Sequence, residues 1–189
     1  MNSTNTVGLT ENTVKSLLIN QGAIYKNYGL VSESLIGACS GANEFSVKIA
    51  MYHADVGGIS PNVKGATFLK SIDATLKCNF IEMTEDILKM ALIGKVDTTT
   101  SQDYDIITTN TYFNAADYID NIALVGTLSG TDDPVVIILK NVLVTDGLSI
   151  KTENAKDNTL PVTFVAHIMP SSPKEAPYQI HYPKSNLPA

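Results

Sequence analysis

Glu44-Phe45-Ser46-Val47-Lys48-Ile49-Ala50-Met51 and Ser71-Ile72-Asp73-Ala74-Thr75-Leu76-Lys77-Cys78-Asn79-Phe80 are the two stretches that decide the fold class of this chain. In the first, Phe45, Val47, Ile49 and Met51 fall on one face, and Glu44, Ser46 and Lys48 on the other. In the second, Ile72, Ala74, Leu76, Cys78 and Phe80 share a face, opposite Ser71, Asp73, Thr75, Lys77 and Asn79. Strict alternation at period two marks strands with one dry and one wet face. The connection between them, residues 52–65, carries the turn signals Gly57-Gly58 and Pro61-Asn62. It is much longer than the roughly two to five residues usual between paired strands, and connections of that length are usually functional. Long strands with a wholly polar second face suit the wall of a water-filled channel better than a small closed domain.

A capped helix follows. Thr84 is a good N-cap, and Glu85 and Asp86 place acids in the first turn, where they suit the helix dipole. Ile87, Leu88, Ala91 and Leu92 form one apolar stripe, and Gly94 supplies a stop. A helix this short is marginal alone, so the stripe is expected to dock on the sheet.

Further strands are expected on both sides. Residues 23–29 read as a strand, and the small-residue segment 34–41 as one packed closely against a neighbour. The Thr- and Asp-rich region 95–118 holds one strand near 104–110. Residues 119–128 and 135–144 form a second strand pair, joined by the turn chemistry of 129–134. Val135-Val136-Ile137-Ile138-Leu139 is continuously apolar, as in a central strand covered on both faces. A short strand is expected at 148–151 and a β-branched one at 160–169. Residues 1–21 read as a polar arm. Residues 170–189 hold five of the eight prolines and read as an extended arm, in which 178–182 can still pair at a sheet edge. The chain is thus read as one mainly β domain, 22–169, between two arms: a sandwich or half-barrel with a long hairpin and one flanking helix.

Bulk properties narrow the function. A chain of 189 residues suits one domain. Hydrophobic residues make up 44% and mean hydropathy is +0.07, which leans towards an oligomer that buries extra apolar surface. Net charge is −6, and all 13 cationic residues are lysines. Such a chain lacks the basic patch of a nucleic-acid binder and any bidentate guanidinium grip on phosphate. Cys78 sits on the dry face of its strand; with Cys39 it defines neither a disulfide framework nor a metal site. The N-terminus lacks the basic-then-apolar order of a signal peptide, and no run approaches the ~20 apolar residues of a membrane helix. A protein intracellular when made, reduced, soluble and without membrane partners is expected. His53, His167 and His181 are isolated and read as packed or hydrogen-bonded residues. Gly126 to Gly130 reads as a strand end with a turn, and Asp132-Asp133 as a solvated turn. HExxH, CxxC, GxSxG and phosphate-loop patterns do not occur, so no catalysis, cofactor or metal is expected.

The order of these motifs resembles the major tail tube proteins of long-tailed bacteriophages and related prophages. The residues that carry the resemblance are Gly37-Ala38 with Gly41, residues 43–47, Val63-Lys64-Gly65 after the Gly/Pro loop, residues 73–77, and 82–92 with Gly94. Residues 136–141 and 159–167 look like the last strands of the same family, so the resemblance spans roughly 22–168. It departs from the family at the Lys-Gly loop, usually acidic and arginine-rich, which here has only Lys64; no salt bridge between rings carries over.

The resemblance implies a β-sandwich assembled as hexameric rings, whose inner strands join into one barrel and whose rings stack into a tube. Barrel closure removes the exposed strand edges. The tube would enclose a tape-measure protein during assembly in the host cytoplasm. In the virion tail it would conduct DNA without binding it specifically, and it would meet tail terminator and baseplate or distal tail proteins. A net acidic wall would repel the phosphate backbone. On this reading Glu44, Ser46, Lys48, Asp73, Thr75, Lys77 and Asn79 line the lumen. His53, Asp55, Gly57, Gly58, Pro61, Asn62 and Lys64 contact another subunit, and Ile87, Leu88, Ala91 and Leu92 pack the helix on the hairpin. Two alternatives are the inner tube of a contractile tail, phage-like bacteriocin or secretion system, and a β-sandwich binding or adhesion module using loop 52–65.

Overall fold

The computed structural model describes residues 13, 17–18, 20, 22–54, 57, 64–129, 133–152, 154 and 158–184. Among these residues ten strands and one α-helix follow in the order β1 (Ala23–Lys26), β2 (Ser34–Leu35), β3 (Glu44–His53), β4 (Thr67–Phe80), α1 (Glu85–Leu92), β5 (Gly94–Asp97), β6 (Ile106–Thr109), β7 (Ile119–Thr127), β8 (Pro134–Val144), β9 (Leu160–Val165) and β10 (Tyr178–His181). The fold is mainly β, a sandwich with one flanking helix whose sheets do not close. One layer runs β2-β1-β7-β8-β10 and the other β3-β4-β9-β8, all antiparallel.

β8 belongs to both layers. β7 pairs with one edge of it from Pro134 to Val142, while β10 takes the other edge at Val136–Leu139 and β9 takes it at Leu143 and Val144. The handover happens at Asn141, whose φ of 49° bends the strand. An asparagine tolerates this left-handed conformation better than a β-branched residue. The side chain of Asn141 donates to His167 O at 3.2 Å, and His167 Nδ1 lies 3.2 Å from Asn141 O. A carbonyl only accepts, so Nδ1 is the protonated ring nitrogen. His167 N also donates to Lys140 O, and the Tyr118 ring meets the imidazole edge-on at 5.2 Å. His167 is therefore a packed, hydrogen-bonded residue, as the sequence suggests.

The core lies between the layers. Ala74, Leu76, Cys78 and Phe80 from β4 meet Leu160, Val162 and Phe164 from β9 and Ile24, Ile122, Leu124, Leu139 and Val142 from the other layer. Phe80 and Phe164 pack edge to face at 6.4 Å. Truncating either to alanine in such a setting costs about 3–5 kcal/mol. Phe45 reaches across to Tyr178 of β10, ring centroids 5.6 Å apart, so residues 178–181 are part of the packed sheet.

α1 seals one end of this core. Thr84 Oγ1 accepts from Ile87 N at 3.3 Å. Ile87 and Ala91 are buried in the central cluster and Leu88 packs against it, while Leu92 is half-buried. The stop differs from the expectation: Ile93, not Gly94, takes the left-handed cap, with φ 48°. Gly94 opens β5 instead, and a Cβ there would lie 3.0 Å from Thr108 O. The glycine serves the close approach of β5 and β6, not the helix end.

Other expectations fail for local reasons. Region 95–118 holds a hairpin, β5–β6, followed by a 3₁₀ turn at Ala115–Asp117. Asp97 accepts from the hydroxyls and amides of Thr99 and Thr100, which turns the chain after β5. Residues 148–151 form no strand, and β9 ends at Val165 because His167 leaves to clamp β8. β3 runs to His53 and β4 begins at Thr67, so the connection is 54–66 and not 52–65.

Asn141→Val combines backbone strain with a lost hydrogen bond to a half-buried carbonyl, so a loss of about 2–3 kcal/mol in urea denaturation is expected. Asn141→Gly keeps the bend and is expected to lose about 1 kcal/mol. Equal stability of the valine variant and the parent would remove the bend from the account.

Candidate assembly surface

The β3–β4 hairpin gathers all seven predicted channel-face residues on one surface. The register sets Glu44 opposite Lys77, Ser46 opposite Thr75 and Lys48 opposite Asp73. Directly opposite residues share a face, so opposite charges sit side by side across the ladder. Glu44, Lys48, Asp73 and Lys77 are exposed, and Ser46, Thr75 and Asn79 are half-buried. β9 extends the surface with Thr163 beside Lys77 and Pro161 beside Asn79. The surface is polar as expected, but its two acids and two lysines cancel. The excess acid of the chain lies elsewhere, for example at Asp97, Asp103, Asp105, Asp117 and Asp120 around β5–β6 and the 3₁₀ turn.

The dry face behaves differently along its length. Near the core, Ala74, Leu76, Cys78 and Phe80 are buried and Phe45 and Val47 half-buried. β9 pairs only with Thr75–Phe80, so the part of β4 before Thr75 has β3 as its one strand partner among the described residues. The hairpin leaves the sandwich there as a two-stranded ribbon. Ile49 and Met51, expected to be covered, are each more than half exposed for that reason.

A bulge reorganises this ribbon. Ala50 pairs with Ser71 but Met51 pairs with Leu69, which leaves Lys70 as the extra residue. Beyond it, Met51 and Leu69 continue the dry face, while Tyr52 and Phe68 oppose each other on the face that carries Lys48 and Asp73. Tyr52, Phe68 and Leu69 are all more than half exposed. The ribbon end thus shows apolar side chains on both faces, and the outer edge of β3 ends its sheet without a further strand among the described residues. The sequence held a signal for this: Phe68-Leu69 is an apolar pair that breaks the period-two pattern ahead of Lys70.

Of the predicted contact loop, His53 closes β3, its Nδ1 3.0 Å from Thr67 Oγ1, and Ala54 N donates to Ala66 O. Gly57 and Lys64 lie at exposed turns. Asp55, Gly58, Pro61 and Asn62 lie outside the described residues. Among the described residues of the N-terminal segment, Leu18 bridges Leu128, and Asn20 exchanges hydrogen bonds with Thr127.

One cleft lies away from the hairpin. It encloses about 270 Å³ between the end of α1 and the start of β7, lined by Lys26, Asp86, Lys89, Asp117, Tyr118 and Asp120 among others. Among the described residues, no group of three or more His, Cys, Asp or Glu side chains is placed to hold a metal ion.

No protein-family profile matches this chain, and no curated protein does. Among solved structures, a chain of the anti-feeding prophage baseplate, determined by cryo-electron microscopy with six-fold symmetrisation, is similar over 78% of this chain and 89% of that one. Identity is 10% and the TM-score 0.39, a level at which similarity carries no argument about function.

Backbone amides of the free ribbon, residues 49–53 and 67–72, are expected to exchange with solvent at least ~100-fold faster than those of 75–80 in the isolated protein, because a lone hairpin is marginally stable. Equal protection along β4, measured by hydrogen exchange at micromolar concentration, would contradict a ribbon free of the core.

Proposed function

We propose that this chain is a structural subunit of a phage-type tail tube, self-assembling into rings that stack. The observation that carries the reading is the ribbon end of β3–β4, apolar on both faces and bordered by the open edge of β3. A strand edge of this length invites pairing with another chain, and natural proteins blunt or cover it. Exposed apolar residues clustered on a projecting element mark an interface. The same element carries a polar face at its base, so one hairpin supplies both a wall for a wet channel and a contact for a neighbouring copy.

The motif order that resembles tail tube proteins supplies the finer content. Six copies form a ring, β3 and β4 contribute to a shared barrel, and Glu44, Ser46, Lys48, Asp73, Thr75, Lys77 and Asn79 face the lumen. The ribbon end and the following loop reach a neighbouring subunit. A tape-measure protein, DNA in transit and the proteins that close the tail at either end are the partners. An inner tube of a contractile system uses the same surfaces. The chain acts by shape and assembly, without chemistry of its own.

Sedimentation and negative-stain electron microscopy of the purified chain are expected to show rings or tubes with an open lumen at high concentration. Phe68→Lys with Leu69→Lys is expected to hold the protein monomeric while shifting Tm by less than about 3 °C, since both side chains are exposed before assembly. Deletion of residues 54–62 is expected to stop polymerisation. A parent protein that stays monomeric at high concentration sinks the reading; normal tubes from the deletion variant remove the loop from it.

A further inference from the structure

Cys39 and Cys78 are neighbours, although they lie on separate elements. The segment after β2 runs antiparallel to the end of β4: Ser40 N donates to Asn79 O at 2.8 Å and Ile81 N to Ala38 O at 3.0 Å. Cys39 stands directly opposite Phe80 in this bridge. Opposed residues share a face, and Cys78 follows Phe80 on that face at period two. Cys39 packs against the core cluster that contains Cys78. Both thiols are free. Cys78 is 1% exposed, whereas Cys39 is only half-buried.

We propose that Cys39 and Cys78 are a peroxide-responsive thiol pair that closes into an intrachain disulfide and fastens the 38–41 segment to β4. This inference stands apart from the tube reading.

The two sulfurs are electronically unlike, in the sense that the first step needs. A hydrogen bond from the Cys78 thiol favours the Cys39 thiolate and holds its pKa below the ordinary thiol value. Asn43 adds a second hydrogen bond, outweighing the burial and the nearby Glu82 carboxylate that act the other way. Cys78 is pushed up, first by its hydrogen bond to Cys39 and then by burial. The thiolate is the reactive form, so the accessible sulfur is the nucleophile and the buried one the resolving partner.

The step balances as follows. The Cys39 thiolate attacks one oxygen of hydrogen peroxide, the O–O bond breaks, and hydroxide leaves, taking up the proton that Cys39 had released. Cys39 is now a sulfenic acid. The Cys78 sulfur attacks the Cys39 sulfur, an S–S bond forms, and the departing hydroxyl takes the Cys78 proton as water. Two thiols lose two electrons, one peroxide gains them, and two waters result.

The ring so closed spans β3 and most of β4, and therefore the base of the ribbon. Cross-linking a loop of this size restricts the unfolded chain.

The test uses the full-length protein, reduced and freed of thiol, then treated with a small excess of hydrogen peroxide. Alkylation under denaturing conditions is expected to find zero free thiols instead of two. Intact mass is expected to fall by two hydrogens, and a peptide linking residue 39 to residue 78 should appear and vanish with dithiothreitol. Tm of the oxidised form is expected to rise by about 5–10 °C. In Cys78→Ala, dimedone should trap Cys39 as its sulfenic acid; in Cys39→Ser, Cys78 should stay alkylatable. Two unreacted thiols, a disulfide between chains, or Cys39 carried to sulfinic acid beside an intact Cys78 thiol would each overturn the proposal.

Discussion

The fold turns on one bent strand. A sandwich needs a way to share hydrogen bonds between layers without leaving backbone groups orphaned where the sheets part. Here β8 does so by placing Asn141 in the left-handed region and passing its outer edge from β10 to β9. The exposed backbone at the bend is taken up by His167, which both donates to and accepts from the Asn141 residue. Phe45 can meet Tyr178, and α1 can close the end of the core, because this bend sets the layers face to face.

From that arrangement the hairpin inherits two unlike halves. The inner half is anchored by β9 and by aromatic packing worth several kcal/mol. The outer half has no third strand among the described residues and carries its apolar residues into solvent, at a cost that a monomer gains nothing from. The bulge at Lys70 is what changes the ribbon's character. Without that extra residue Lys70 would oppose Met51 on the dry face and Leu69 would oppose Tyr52; with it, Met51 meets Leu69 and Tyr52 meets Phe68, so each apolar side chain has an apolar partner across the ladder.

Much of this was legible in the sequence. Period-two alternation located both halves of the hairpin and the polar face, and capping chemistry located α1 to within a residue. What stayed hidden was tertiary. Alternation says which side chains share a face but not whether another layer covers that face, so Ile49 and Met51 looked the same as Leu76 and Cys78. Gly94 looked like a helix stop because a glycine after an apolar stripe usually is one. Here the Thr108 carbonyl demands it, and Ile93 bears the left-handed cap. Nothing in the spacing of Cys39 and Cys78 announced that they meet, because the bridge between their segments is long-range.

The cross-strand register of the polar face has an electrical consequence. Glu44 beside Lys77 and Lys48 beside Asp73 make a checkerboard in which unlike residues oppose each other with Cβ atoms about 5 Å apart. The potential of such a pattern cancels within a few ångströms, inside the ~8 Å Debye length of physiological salt. Ionic strength then has little left to screen on this face. At physiological salt a polyanion moving past this face meets neither a trap nor a barrier made by the face itself, and the repulsion left in dilute buffer comes from the acids elsewhere on the chain.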